Sequence, residues 1–341
     1  MKKQLLNAYL TNTSYYLPTQ VLANEDITAK HPEWSVEKIA TKTGIVQRHI
    51  AGNDEFTSDM AIKAANNLFT TGVDKNCIDY VILCTQSPDY FLPTTACIVQ
   101  DKLGLNKNMG ALDFNLGCSG FIYGIGLAKG LIATEQASNV LLITSETYSK
   151  YINEKDKSNK TLFGDAAAAT LISKNPSFAL NGNILGFSYL TDGSGYDNLI
   201  VKHGASKHRF EKGKDEFTED VFVKNDDNLF MNGNAIFNFT SFSIPPLINS
   251  ILIKCNIAID DIDLFIFHQA NEFMLDFVRK RCKIPKEKFY IFLKNCGNTV
   301  SSTIPIAMAE AIKDNRIQKG NKVLLCGFGV GLSAGAVVIQ Y

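Results

Sequence analysis

The stretch "FNLGCSGFIYGIGLAKGLIA" occupies residues 114–133. One cysteine, Cys118, stands among small residues just before a segment that is apolar on nearly all sides, the pattern of a helix buried in the middle of a protein. That helix carries Gly120, Gly124, Gly126 and Gly130, and glycine costs roughly 1 kcal/mol against alanine in a helix interior. Such a helix makes sense only if something packs very close to its backbone. A thiol at its start faces unpaired N–H groups and the positive end of the helix dipole, which favour the thiolate. Cys118 is therefore either a small core hydrophobe, the usual condition of a free cysteine, or a nucleophile placed where nucleophiles are activated.

Outward from that helix, short apolar runs alternate with helical stretches. "DYVILCTQ" (79–86), "MGALDF" (109–114), "NVLLITSE" (139–146) and "AAAATLIS" (166–173) read as strands in the first half. "DIDLFIFHQ" (261–269), "KFYIFL" (288–293), "NKVLLCGFG" (321–329) and "GAVVIQY" (335–341) do so in the second. Continuous rather than alternating apolar residues predict strands buried on both faces, an α/β layered architecture. The halves also repeat each other. A buried strand ends at Thr85, a helix follows from about Pro93, and a second strand leads to "NLGCSG", the apolar helix and "NVLLITSE". Likewise a buried strand ends at His268, a helix runs from about Asn271, and a second strand leads to "KNCGNTVSS", "TIPIAMAEAIKD" and "NKVLLCGFG". This long-period self-similarity predicts a duplication, with halves 1–175 and 176–341. Equivalent loops would meet at a pseudo-twofold axis, drawing Cys118, His268 and Asn298 toward one place. Between the halves, the polar, mixed-charge residues 203–228 predict a surface excursion, with a helix resuming near Asn234.

The bulk properties bound the function. Formal net charge is zero over 341 residues, which points away from nucleic acid and from a polybasic membrane surface. The amino-terminal "MKKQLLNAYLTNTSYY" is too broken and polar for a signal peptide or anchor. Eight cysteines with no CxxC pair predict reduced thiols in a cytoplasm. Cys77, Cys97, Cys255 and Cys282 read as core thiols, and Cys84 and Cys326 lie inside apolar strands. His268, ending a buried strand, is by itself a hydrogen-bonded core histidine or a catalytic one. Asn298, before a helix, is by itself an N-cap. His31, His49, His203 and His208 lie in polar segments and read as solvated, and no His/Cys/Asp cluster has metal-ligand spacing. The run "CGFGVGLSAG" (326–335) is followed by a β-like segment that ends the sequence, so no helix receives a phosphate. It fits a strand–turn–strand whose backbone passes close to a ligand.

Taken together, "NLGCSGF", "FHQAN", "NCGNTVSSTIP", "FGDAAAA", "TGIVQRHIA" and "GFGVGLSAG" resemble the β-ketoacyl-ACP synthase III family of the thiolase superfamily, over essentially the whole chain. The resemblance implies a duplicated five-layer α-β-α-β-α fold and a homodimer. It implies that Cys118 takes an acyl group from an acyl-CoA or acyl-ACP thioester. His268 and Asn298 would hold the thioester carbonyl of malonyl-ACP while carbon dioxide departs, and the backbone N–H groups of Cys118 and Val330 would form the oxyanion hole. No metal or redox cofactor is implied, because decarboxylation supplies the carbanion. Substrate binding would fall to Leu92, Lys42, Lys157, Phe237, Asn271, Gly329 and Gly331.

The sequence departs from the family's commonest pattern in several places. Val330 stands where a third glycine is usual, and Lys42 replaces the arginine before "TGI". Lys38 replaces the tryptophan expected to stack on the CoA adenine, with Trp34 four residues upstream. "EFM" follows "HQAN" in place of an arginine for ACP docking, and Lys157 or Lys160 would replace another phosphate-contacting arginine. "SPDYFLPTTAC" (87–97) resembles the segment that reaches across the dimer into the partner's acyl pocket. It carries Leu92 where acetyl-specific members have phenylalanine, which suggests a primer other than acetyl. Two other readings stay open: an acyltransferase to an oxygen or nitrogen nucleophile without C–C bond formation, and a non-catalytic partner-binding subunit. A plain thiolase fits poorly, since Cys326 precedes the glycine turn on a strand.

Overall fold

The computed structural model of the chain describes residues 6–176 and 180–341. The first five residues of the amino-terminal stretch, and residues 177–179 just past the expected division at 175/176, lie outside them. Five strands of the first half are β1 (Tyr9–Tyr16), β2 (Tyr80–Cys84), β3 (Gly110–Phe114), β4 (Asn139–Glu146) and β5 (Ala166–Ser173). Five of the second are β6 (Gly182–Thr191), β7 (Leu264–Phe267), β8 (Phe289–Tyr290), β9 (Lys322–Gly329) and β10 (Ser333–Gln340). Their order is β8-β7-β9-β10-β6-β1-β5-β4-β2-β3. Read from each edge inward, the two halves are the same sheet. In both, the first strand after the edge is parallel to its neighbours on either side, β2 to β3 and β4, β7 to β8 and β9. In both, the next two pairings are antiparallel. Within the sheet the halves join where β1 meets β6, at Tyr9↔Asn183 and Leu10↔Gly182.

The helices repeat as well: α1 (Thr57–Phe69), α2 (Thr95–Leu103) and α3 (Gly120–Ala133), then α4 (Gly233–Cys255), α5 (Glu272–Arg281) and α6 (Thr303–Lys313). They define the five layers through three apolar cores. Met60, Ala64, Leu68 and Val99 of α1 and α2 pack with Val81, Leu83, Leu141 and Ile143. Ile244, Ile248 and Leu275 of α4 and α5 pack with Phe265, Leu324 and Val338. Between the sheet halves, Ile122 and Ile125 of α3 and Ile304 and Met308 of α6 meet Ile82, Leu142, Leu325 and Val337. Successive strand side chains point to opposite faces, so Leu141 and Leu142, or Leu324 and Leu325, serve different cores. A strand with a core on each side must be apolar throughout, which is why these runs do not alternate.

The glycines of α3 behave as expected at three positions of four. A β-carbon on Gly120 would run into Cys84, on Gly124 into Leu142, and on Gly126 into Tyr189, whereas Gly130 faces open space. The helix lies so close to β2, β4 and β6 that side chains are excluded there. α4 is long and apolar enough by length and composition to cross a membrane, but Ile244, Leu247 and Ile251 on it are core residues, with Pro245 and Pro246 in its middle.

Two strands depart from the sequence expectation. β1, "YLTNTSYY", is too polar to read as buried, because its threonines are satisfied inside the sheet: Thr11 donates to Leu171 O at 3.1 Å and Thr13 pairs with Thr170 at 3.2 Å. β6 is masked by its glycines and mixed pattern. All eight cysteines are unpaired. Cys97 is exposed on α2, so it is not the core thiol expected of it, whereas Cys77 and Cys255 are half-buried and pack at the edges of apolar cores.

Candidate active site

Four loops converge at the carboxyl ends of the parallel strands, where open α/β sheets form their crevices. Cys118 lies between β3 and α3, and His268 follows β7 directly. Asn298 lies between β8 and α6, and Val330 sits in the turn between β9 and β10. Cys118, His268 and Asn298 all line one cavity of about 430 Å³, together with Phe237, Asn271 and Gly329. Each of the three is nearly inaccessible in the closed surface, at 4%, 2% and 5% exposure.

Cys118 is set by the glycines of β9. A β-carbon on Gly327 would come within 2.7 Å of Cys118 O, and one on Gly329 within 2.9 Å of Cys118 Sγ. The glycine run thus serves the close approach of the cysteine loop rather than of a ligand alone. The Val330 N–H donates to the thiol, and that contact lowers the thiol's proton affinity. Burial acts the other way and is larger, pushing Cys118 from the ordinary 9.0 up to about 12. That rise is roughly 4 kcal/mol against ionisation, while a helix terminus supplies about 2 kcal/mol at best. The expectation that the helix start favours a thiolate is corrected here: resting Cys118 is a thiol.

His268 is anchored by its main chain, whose N–H donates to Cys326 O at 2.8 Å. Its Nδ1 lies 2.8 Å from Thr303 Oγ1. That hydroxyl also donates to Val300 O at 3.1 Å; in the tautomer that carries its hydrogen on Nε2 the ring is a donor. Burial lowers His268 to about 3, so the imidazole is neutral at any working pH. Asn298 accepts from the Val300 N–H through Oδ1 at 2.9 Å, which leaves its NH₂ group as the donor. Its main chain is clamped at both ends, donating to Leu162 O at 2.8 Å and accepting from Gly164 N at 3.0 Å. A neutral imidazole and an amide can together hold a carbonyl that gains negative charge.

A second cavity of about 750 Å³ has Val330 in its wall, with Gln86, Tyr148, Tyr151 and Leu229 among its other lining residues; Leu199 lines both cavities. The remaining expected residues lie elsewhere. Leu92 is 82% exposed on a loop with Phe91 at 85%, and it lines neither cavity of its own chain. Gly331 belongs to the β9–β10 turn and lines neither. Lys42 is exposed in the last turn of the helix Val36–Thr43. The Lys157 ammonium pairs with Glu33 at 2.5 Å and, with Lys38, sits 5.6 Å from the centre of the Trp34 ring. Lys160 pairs with Glu154 at 2.6 Å.

Two buried carboxyls behind the site went unread. Asp165, in "FGDAAAA", accepts from the N–H groups of Ala51 and Ser149 at 2.8 and 2.9 Å. Glu146, at the end of β4, accepts from Gln86 N at 3.0 Å, Ser87 Oγ at 3.3 Å and Ser301 Oγ at 2.8 Å. It thereby ties β4 to the turn carrying Asn298. The one sequence signal was an acid closing an apolar strand. Burial pushes Glu146 up to about 8 despite those donors. A folded value above the ordinary 4.5 means the group's stabilising contribution is complete below pH 4.5 and is lost as pH rises toward 8. Glu146→Gln removes the titration, and the Ser301 hydroxyl can accept from the new amide. Unfolding free energies of the two proteins should therefore separate between pH 5 and pH 8 in favour of the variant, by on the order of a few kcal/mol, with thermal midpoints diverging in the same sense. Midpoints running in parallel would mean that Glu146 is ionised throughout.

Comparison with known proteins agrees with this geometry. Residues 112–193 match the family 3-oxoacyl-[acyl-carrier-protein (ACP)] synthase III, and residues 252–341 match its C-terminal part. The chain is 40% identical over 335 residues to the beta-ketoacyl-[acyl-carrier-protein] synthase III of Clostridium perfringens (strain ATCC 13124), covering 98% of this chain and 99% of that one. It is 36% identical over 329 residues to the protein of the same name from Fusobacterium nucleatum subsp. nucleatum, covering 96% of each. A crystal structure of a 3-oxoacyl-(acyl-carrier-protein) synthase III matches with a TM-score of 0.95 at 42% identity, over 98% of this chain and all of that one.

Proposed function

We propose, from the premise that this chain belongs to the 3-oxoacyl-[acyl-carrier-protein] synthase III family of condensing enzymes, that it is a decarboxylating acyltransferase using Cys118, His268 and Asn298. The observation that carries this is their convergence on one cavity, with the Val330 N–H on the cysteine sulfur. Cys118 Sγ attacks the thioester carbonyl of an acyl-CoA or acyl-ACP, and the thiol proton leaves with the departing carrier thiol. The N–H groups of Cys118 and Val330 hold the oxyanion. Malonyl-ACP then places its thioester oxygen against His268 Nε2–H and the Asn298 amide. The bond to the carboxylate breaks, carbon dioxide leaves, and the electron pair remains as an enolate. Its carbon attacks the acyl-cysteine, expelling the Cys118 thiolate, which takes up one proton, and the product is a β-ketoacyl-ACP.

The second cavity supports a primer longer than acetyl, because it shares Leu199 with the first and has Val330, whose N–H meets the Cys118 sulfur, in its wall. The exposed run Tyr90–Leu92 supports a homodimer in which this loop enters the other copy, and sedimentation of the purified chain reads that directly. The halves 1–175 and 176–341 would each supply part of the site. Eight unpaired cysteines support a reducing, cytoplasmic setting. The reading is tested by supplying acetyl, straight-chain and branched primers on CoA and on ACP together with malonyl-ACP. Release of carbon dioxide with a β-ketoacyl-ACP two carbons longer than the primer is expected, fastest with a primer beyond acetyl. Transfer of the acyl group to an alcohol or amine without carbon dioxide would overturn condensation, and a clear acetyl preference would overturn the primer.

A further inference from the structure

The polar excursion between the halves holds two histidines whose spacing in sequence says nothing, yet they do not face solvent separately. The His203 side chain is only 8% exposed. Its Nε2 lies 3.4 Å from Glu211 Oε2, and His208 Nδ1 lies 2.8 Å from Glu211 Oε1. One donor atom from each of the three falls within 4.8 Å of the others. The two imidazole centres are 5.6 Å apart with their planes tilted by 43°. Two imidazoles on one tetrahedral zinc, bound at about 2.0–2.1 Å, place their ring centres roughly 5 Å apart and neighbouring ligand atoms about 3.4 Å apart. The unliganded cluster is already near that arrangement.

The surroundings match a metal centre as well. The other nitrogen of His203, Nδ1, meets Asp227 Oδ1 at 3.0 Å, and the Gly213 N–H holds that same oxygen at 2.9 Å. A carboxylate behind a ligating imidazole fixes its tautomer and its direction. The His203 N–H donates to Asp226 O at 2.9 Å, so the cluster joins the loop 203–211 to residues 225–228. Asp226 Oδ2 also lies 3.8 Å from His203 Nε2, but Lys202 and Lys224 engage its carboxylate at 2.8 and 3.5 Å and keep it in an outer position.

We propose that His203, His208 and Glu211 bind one divalent transition-metal ion of the zinc class, with water completing the coordination. Two imidazoles and one carboxylate favour such an ion over calcium or magnesium, which take oxygen ligands. His203, Gly204 and Ala205 also line the second cavity beside Val330, so the ion stiffens one wall of the space beyond Cys118.

The test loads the purified full chain with zinc, dialyses it against metal-free buffer, and measures retained metal and thermal midpoint. One zinc per chain is expected, with a midpoint that rises on loading and falls back with chelator. His208→Gln and Glu211→Gln, both at accessible positions, should each lose the retained ion, and Asp227→Asn should weaken binding about 10- to 100-fold. Cobalt in place of zinc should give only nitrogen–oxygen ligand-field bands. The site is overturned by no retained metal, by equal retention in both ligand variants, or by a thiolate-to-cobalt absorption, which would put the ion on a cysteine.

Discussion

Cys118→Ala is expected to gain no mass from any acyl donor, where the native chain gains the mass of one acyl group. The contrast should be nearly complete because no second thiol can take over. Cys84 and Cys326 are fully buried in strands, and burial pushes both thiols well above their ordinary value. Cys97, the exposed one, lies on the outer α2 helix and lines neither cavity. Condensation should fall on the order of 10⁴- to 10⁶-fold, the scale on which deleting a covalent nucleophile acts. Replacing a sulfhydryl by hydrogen removes little volume, so the variant should keep a cooperative thermal transition that shows the loss to be chemical. An adduct that persists in the variant would move the nucleophile elsewhere.

The second large effect separates the two half-reactions. His268→Gln and Asn298→Asp should still form the acyl-enzyme, within about tenfold of the native rate, because the acyl oxyanion is held by backbone N–H groups. Carbon dioxide release from malonyl-ACP should drop roughly 10²- to 10³-fold in each, the usual cost of one missing oxyanion donor. Asn298→Asp is the sharper variant. It keeps the oxygen that accepts from Val300, so the turn survives, and it replaces the donating amide with an acceptor. The combined variant should cost less than the product of the two, since both donors grip one oxygen. In the native protein the decarboxylation rate should show no inflection near pH 6.5, because burial holds His268 neutral down to about 3. Equal loss of acylation and decarboxylation in His268→Gln would instead make this histidine the base that activates Cys118.

Much of this was legible in the amino acids, and the pattern of what was not is physical. Each of Cys118, His268 and Asn298 sits where a buried strand ends or a helix begins, and the internal repeat makes Cys118 the counterpart of Asn298 and His268 the counterpart of Thr85. Strand ends and repeats are carried by local apolar runs, which a sequence displays. β1 is hidden because its polar groups are satisfied by partners more than 150 residues away in the chain, such as Leu171 for Thr11, and β6 because its glycines and mixed pattern break the apolar run. The protonation of Cys118 was misread for a related reason. The helix terminus is local and visible, whereas the burial that outweighs it comes from parts of the chain distant in sequence, the β9 glycines among them. Lys157 looked free to meet a phosphate until Glu33, more than a hundred residues upstream, was found on its ammonium. Glu146 and Asp165 do not announce themselves in the sequence because a buried acid is recognised by its donors, and those come from loops and turns elsewhere in the chain.

The protonated state of Cys118 also decides how the protein weathers its chemical surroundings. Peroxide and most electrophilic warheads attack the sulfur anion, not the neutral thiol. A sulfur kept neutral near 12 and closed off from bulk water offers such reagents almost no anion at neutral pH. Oxidative damage should therefore fall first on the exposed Cys97. By the same logic, an inhibitor built on reactivity alone would be slow here. One that first fills the cavity and carries its own acceptor for the thiol proton, while the Val330 N–H holds the sulfur anion, would be fast.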